Sequence, residues 1–355
     1  MKTCTQNAAD ARLPRGPKVS AVICTFQPDP VAFGLVLRGI SKLRWPVGQS
    51  PEILIIDNAS PEPLELQTFF IEWLSRTPGA RLLREERQGQ TFARLRGFSE
   101  ASGSLIVCLD DDNLPHPDYI EAAVSASDRY PFVGVWGPGS VEVDWLPGGD
   151  PRVKSLEGAD KFFQARSDKR VSFALDLPMP RMMPSGTGMV LKREIAERYA
   201  KMVKTGKFKA TGRNGASLAC GEDIQICWSA LSGGWAVGRS PYLRLRHLIP
   251  ARRANFQYLA MLEYFTAKSY ATALREAVPE CFDICLPRQP RAALIIGVAA
   301  MAAMLKPRPR VPLPVALAPT IGALSGAWAA YGKRPNWWIY GLARWLYHDR
   351  WQKAC

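Results

Sequence analysis

Ser104-Leu105-Ile106-Val107-Cys108-Leu109-Asp110-Asp111-Asp112 is the stretch on which the reading of this chain turns. Its short apolar half reads as a buried strand, and that strand runs straight into three adjacent carboxylates. Neighbouring carboxylates repel one another, so the cluster costs stability unless a cation or a donor offsets the charge. An oxygen-rich set of this kind suits Mg²⁺ or Mn²⁺ bridging a diphosphate. A solvated acidic turn leading into Asn113-Leu114-Pro115 is the alternative that the stretch alone leaves open.

Upstream, the same grammar repeats. Val19 to Phe26 is a β-branched apolar run closed by Pro28, and Glu52 to Asp57 is a second, closed by Asn58, Ser60 and Pro61. Both predict buried strands. Asp29 to Leu43 places Val31, Leu35, Leu37, Ile40 and Leu43 near one helical face. Helices are also expected over Leu64–Arg76 and Phe92–Ala101, with a weak strand at Arg81–Leu83. Strand and helix alternating in this way predict an α/β fold, a mostly parallel central sheet with helices on both faces. Ligands of such sheets bind at the carboxyl ends of the strands, and those ends carry Thr25, Asp57 and Asp110 to Asp112.

Downstream, the Gly- and Val-rich pattern of Phe132–Asp144 suggests strands at a sheet edge, and residues 145–180 a long loop or lid. Met189–Leu191 reads as a short strand followed by a helix from Arg193, and Gly221-Glu222-Asp223 opens a helix over Ile224–Leu231. Two strands are expected at Trp235–Gly238 and Tyr242–Leu245, ending at His247, and a helix from Ala254 to Ala277.

Charge and cysteine usage bound the function classes. The chain has 355 residues and a net charge of +14, but from Pro287 to Cys355 ten Lys or Arg face one acid, Asp349. The preceding residues carry only +5, too little to single out a nucleic-acid groove. Five of eleven Trp fall in that same tail, with uncharged runs at Ala292–Leu305 and Val311–Tyr331. Basic, aromatic and apolar together read as a membrane-surface element, and a helical hairpin in the interface is expected. A spanning pair and a buried hairpin are the alternatives, although Pro312, Pro314 and Pro319 argue against a straight spanning helix. The eight scattered cysteines lack zinc-site pairing and are read as free thiols in a reducing compartment. Residues 1–18 read as a flexible leader.

In order and spacing, Val19–Phe26, Glu52–Ser60, Gly89–Gly97 and Leu105–Asp112 resemble the nucleotide-sugar-binding half of family 2 glycosyltransferases with the GT-A fold. Ser185–Arg193, Thr211-Gly212-Arg213, Gly221–Ile224, Gly234-Trp235 and His247–Pro250 followed by Arg252 and Arg253 resemble a bacterial subgroup acting in surface-polysaccharide assembly. The resemblance implies a GT-A domain over residues 19–270, and the composition of the tail a membrane-associating region over 271–355. The resemblance places Thr25 and Asp57 at base and ribose, with Asp57 accepting a uracil imide proton unless it caps the turn after its strand, and Arg94 near the nucleotide. Asp110 and Asp112 match the family's metal-binding pair, Asp111 then touching ribose, and which two of the three ligate metal stays open. His247 falls where relatives hold metal or diphosphate. Arg252 and Arg253 either bind phosphate or start a solvated helix.

Asp223 matches the family's general base, and a helix N-terminus favours its ionised form. The resemblance implies an inverting transfer, dependent on Mn²⁺ or Mg²⁺, from a nucleotide sugar, UDP-linked by family, to a lipid-linked or membrane-proximal glycan. The tail implies a peripheral enzyme at the cytoplasmic face of the inner membrane. Phe26, Gln27, Thr187 and Gly188 depart from the family pattern at the base, ribose and acceptor contacts. A non-catalytic scaffold or nucleotide-sugar-binding module of the same fold is the alternative. The joint presence of Asp110, Asp112 and Asp223 argues against it.

Overall fold

The computed structural model describes residues 18–176, 183–209, 212–213, 218–281, 298, 311–334 and 337–346. Its first half follows the expected alternation: β1 (Val19–Thr25), α1 (Pro30–Ile40), β2 (Ile53–Asp57), α2 (Thr68–Ser75), β3 (Ala80–Arg84), α3 (Gln90–Glu100) and β4 (Leu105–Asp110). Asp29 caps α1 by accepting from the amides of Val31 and Ala32 at 3.1 Å, and Pro30 supplies a first residue whose missing N–H costs nothing there. Next come β5 (Asn113–Pro115), α4 (Tyr119–Arg129), β6 (Val133–Trp145), α5 (Pro151–Lys154), β7 (Arg166–Ser167), β8 (Ser172–Ala174), β9 (Val190–Lys192), α6 (Arg193–Lys204), α7 (Glu222–Leu231), β10 (Ala236–Ile249) and α8 (Phe256–Ala277). The tail contributes α9 (Leu313–Ala330) and α10 (Trp337–Leu346).

The strands form one mixed sheet in the order β3-β2-β1-β4-β9-β6-β10-β5, with β7 beside β6 and β8 beside β10. Strands β3, β2, β1 and β4 are parallel; β9 runs antiparallel to β4 and β6, and β10 is parallel to β6. Successive side chains of a strand leave on opposite faces. Ala21 and Ile23 accordingly enter the core that includes Phe33 and Leu37 of α1, while Val22 and Cys24 enter the one that includes Ala93 of α3 and Ile226 of α7.

Three expectations are corrected. Strand β6 lies inside the sheet, between β9 and β10, rather than at an edge. Segment 145–176 is not one open loop, because α5, a 3₁₀ turn at Ala159–Phe163, β7 and β8 fold it against β6 and β10. The two strands expected after Trp235 are one, β10, which reaches Ile249; its register shifts between Ser240 and Arg244, around Pro241, which has no N–H for a ladder bond.

A third core joins the tail to the rest. Val315, Ile321, Leu324 and Trp328 of α9 and Ile339 and Leu346 of α10 pack with Leu259 and Tyr264 of α8, Ile249 of β10 and Phe163. The boundary expected after residue 270 falls within α8. Of the tail, α9 is long and apolar enough to cross a membrane by composition, with a mean hydropathy of 1.4, and 61% of it is buried. The run Ala292–Leu305 lies outside the described residues apart from Val298, as do residues 1–17 and Thr211.

Candidate active site

Parallel register sets the site. Thr25 pairs with Asp57 and Cys24 with Asp110, so the carboxyl ends of β1, β2 and β4 finish level. The cavity above them is lined by Thr25, Phe26, Asp110, Asp111 and Asp112 on the strand side and by Arg213, Arg252, Arg253 and Tyr258 opposite. Three carboxylates and three arginines therefore line one space, with Arg253 bonded directly to Asp112.

Each carboxylate has its own environment. The Thr25 hydroxyl donates to Asp111 Oδ2 at 2.6 Å, yet burial and the neighbouring Asp112 charge push the Asp111 carboxyl up to about 6. Asp112 is also buried, but Arg253 donates to its Oδ2 and holds it below the usual carboxylate range, and the Asn113 amide donates to Oδ1 at 2.7 Å. Asp110 accepts from Gln90 Nε2 at 3.0 Å; burial raises its pKa, with Arg94 opposing.

His247 stands beside Asp112. Its Nδ1 lies 2.9 Å from the carbonyl oxygen of Phe163, which can only accept, so Nδ1 carries the proton. In the neutral ring Nε2 is then a bare acceptor, and it faces Asp112 Oδ2 at 3.5 Å. Two acceptors turned toward each other suit a shared cation, and a second-shell bond of this kind presents a ligating imidazole. A divalent ion shared by Asp112 and His247 would have to displace Arg253, which donates to the same Asp112 oxygen. Asp110 accepts from Gln90 and lies 3.9 Å from Arg94, and among the described residues no three His, Cys, Asp or Glu side chains converge as a ready-made metal cage.

Behind the cavity lies a buried charged chain. Arg94, only 1% exposed, has Nη1 3.4 Å from Glu222 Oε1 and Nη2 3.9 Å from Asp110 Oδ1. Its Nη2 also donates to the Gly186 carbonyl at 3.3 Å. The Gly186 amide in turn donates to Asp223 Oδ2 at 2.9 Å. A Cβ on Gly186 would lie 2.6 Å from Arg94 Nη2, so a larger residue there would push the guanidinium aside. Burial opposes the Arg94 charge, but Glu222 and Asp110 outweigh it and its pKa is raised. Burial pushes Glu222 up to about 7 against the pull of Arg94. Glu222 and Asp223 are the first two residues of α7, where the exposed amides and dipole favour negative charge.

The structure thus gathers Thr25, Asp110, Asp111 and Asp112 at one cavity, sets His247 and Arg253 on Asp112, and puts Arg94 behind. Asp223 reaches the group through Gly186 rather than by lining the cavity. Asp57 ends β2 and has partners of its own. It is 1% exposed, and its carboxylate accepts from the amides of Ser60 and Leu64 and pairs with Arg84 at 3.0 Å. Its oxygens are spent on the turn after β2, and it does not line the cavity. Gln90 and Tyr258 were not singled out from sequence; the signal for Gln90 was its place just after Gly89, at the start of α3.

Residues 38–201 match the sequence profile of Glycosyl transferase family 2. Among curated proteins, polypeptide N-acetylgalactosaminyltransferase 15 of Mus musculus is 24% identical over 293 residues, 77% of this chain and 43% of that protein. Its Homo sapiens counterpart is 26% identical over 243 residues, 65% of this chain and 36% of that protein. The chain therefore spans less than half the length of these curated relatives. Among solved structures, the mannosyltransferase PcManGT from Pyrobaculum calidifontis, in complex with GDP-Man and Mn²⁺, superposes with a TM-score of 0.50 at 17% identity, over 89% of this chain and 88% of that one. That likeness shows a shared fold.

Proposed function

We propose that this chain, whose residues 38–201 match the family 2 glycosyltransferase profile, is a glycosyltransferase that moves a sugar, with inversion, from a nucleotide diphosphate sugar to a hydroxyl of a lipid-linked or membrane-proximal glycan. The donor on this reading is UDP-linked, and the setting is surface-polysaccharide assembly at the cytoplasmic face of a bacterial inner membrane. The observation that carries the reading is the cavity lined by Asp110–Asp112 and by Arg213, Arg252 and Arg253, with Asp223 tied to it through Gly186.

A donor diphosphate suits the guanidinium side, since planar N–H forks match phosphate oxygens. Asp112 and His247 are the residues that would hold Mn²⁺ or Mg²⁺, with Asp110 or Asp111 available for a further contact. When bound, such an ion offsets negative charge growing on the leaving diphosphate. Thr25 fixes the Asp111 carboxylate toward the donor. The acceptor oxygen forms its bond to the anomeric carbon as the carbon–oxygen bond to the diphosphate breaks and that electron pair leaves with phosphate. Asp223 takes the acceptor proton. The Gly186 amide donates to its Oδ2 and the Ile224 amide, in the first turn of α7, to its Oδ1. One displacement on one face inverts the configuration.

The test is the melting temperature of the purified protein with UDP, GDP, TDP and CMP, each with and without Mn²⁺. A ligand at about 100 times its Kd adds about 2.7 kcal/mol. The expected result is a Mn²⁺-dependent rise with UDP that Asp112→Asn removes. A folded sample that responds to none of the four would overturn the reading.

A further inference from the structure

The tail holds two helices of opposite character. Helix α9 is apolar enough to span a bilayer, yet it is an internal strut: a Cβ on Gly322 or Gly326 would run into the backbone carbonyls of Tyr264 and Lys268, so α9 lies directly on the α8 main chain. Its close-packing glycines are already used within the protein.

Helix α10 buries Ile339, Ala343 and Leu346 in the third core. The opposite stripe is Trp337, Tyr340, Gly341 and Arg344, spaced as one helical face. Trp337 is 85% exposed and Tyr340 57% exposed. The turn leading into the helix presents Tyr331, 43% exposed, with exposed Lys333 and Arg334 beside it. No acidic residue occurs between Pro287 and His348. Lys333, Arg334 and Arg344 have no ion pair among the described residues.

We propose that this face of α10, with the Tyr331–Arg334 turn, docks the protein peripherally on an anionic lipid surface, while α9 stays inside the protein. Charge complementarity selects the occupant: an acid-free, cationic face matches a bilayer leaflet carrying anionic headgroups. Trp and Tyr have an apolar ring and a polar edge and settle at headgroup depth. Ile339 and its neighbours fix the helix from behind, so the aromatic face is held outward without ordering at contact. The proposal rests on the membrane setting of the proposed reaction, and narrows it from the whole tail to one helix face.

The experiment is flotation of the full-length protein with phosphatidylcholine vesicles, with and without phosphatidylglycerol. Wild type is expected to float with the anionic vesicles and to be released by salt. Each cation near such a surface is worth about fivefold in binding, so Lys333→Glu/Arg334→Glu/Arg344→Glu should weaken it by about a hundredfold or more. Trp337→Ala/Tyr340→Ala should weaken it as well, with unchanged circular dichroism. If the aromatic variant melts lower, the charge-reversal variant, which alters exposed side chains alone, decides. Wild-type flotation by both variants would overturn the proposal. Resistance to alkaline extraction, which marks a spanning α9, would overturn it too, as would a dimer lost in Trp337→Ala, which marks a second copy on this face. Donor hydrolysis in solution reads the enzymatic assignment separately, and neither variant should change it.

Discussion

Replacing Arg94 by Met keeps the length of the side chain and deletes its charge. Arg94 is 1% exposed and lies between the carboxylates of Glu222, 3.4 Å away, and Asp110, 3.9 Å away. Breaking a buried pair by removing one partner costs about 3–5 kcal/mol, because the surviving charge is left without compensation. Glu222 already sits near pKa 7 and can take up a proton to shed its charge, which places the expected loss toward about 3 kcal/mol. At roughly 2–4 °C per kcal/mol for a large domain, the melting temperature should fall by about 6–12 °C. The variant also frees the Gly186 carbonyl, whose amide holds Asp223 Oδ2, so kcat should drop more than donor affinity. Arg94→Lys, which restores the charge without the planar fork, should recover stability before it recovers kcat. The coupling can be isolated with urea unfolding of Arg94→Met, Glu222→Gln and the double variant. If Arg94 compensates Glu222, the double variant should be less destabilised than the sum of the singles by about 1–3 kcal/mol. Strict additivity, or an unchanged melting temperature in Arg94→Met, would refute the reasoning.

Glu222 makes a pH prediction of its own. Its folded pKa is raised from 4.5 to about 7, so the native state holds a proton that the unfolded chain releases. Its contribution is fully present below about 4.5 and is lost as pH rises to about 7; at roughly 1.4 kcal/mol per pKa unit this amounts to about 3 kcal/mol. Urea unfolding of wild type and Glu222→Gln at pH 5 and pH 8 should therefore show Gln gaining on Glu at the higher pH, and parallel curves would remove the claim. Asp223→Asn should leave nucleotide binding intact while lowering kcat by about 10²–10⁴-fold, the range lost with a general base. An equal loss of donor affinity, read by the same melting shifts, would instead make Asp223 a donor-site residue.

How much the sequence disclosed depends on how far apart the interacting residues lie along the chain. Strands β1, β2 and β4 were legible because each is a short apolar run that ends abruptly in polar residues, and Asp110 to Asp112 because adjacency displays the cluster directly. Strand β6 was misplaced to an edge because Gly134, Gly137, Pro138 and Gly139 dilute its apolar pattern. Those glycines serve interior packing: a Cβ on Gly139 would meet the β10 backbone at Ser240 and Pro241. The links from Arg94 to Glu222 and from Gly186 to Asp223 join residues far apart in sequence, so nothing local marks them. For Asp57 the sequence offers both a nucleotide contact, through the resemblance, and a turn cap, and the bonds from Ser60, Leu64 and Arg84 that fix the turn lie beyond what the strand end displays. The tail shows the same limit at larger scale. Composition changes sharply near Pro287, where charge becomes one-sided, whereas the third core does not respect that division: α9 and α10 pack in it with α8. A charge boundary reflects the surface a segment presents, and it need not mark where one core ends and another begins.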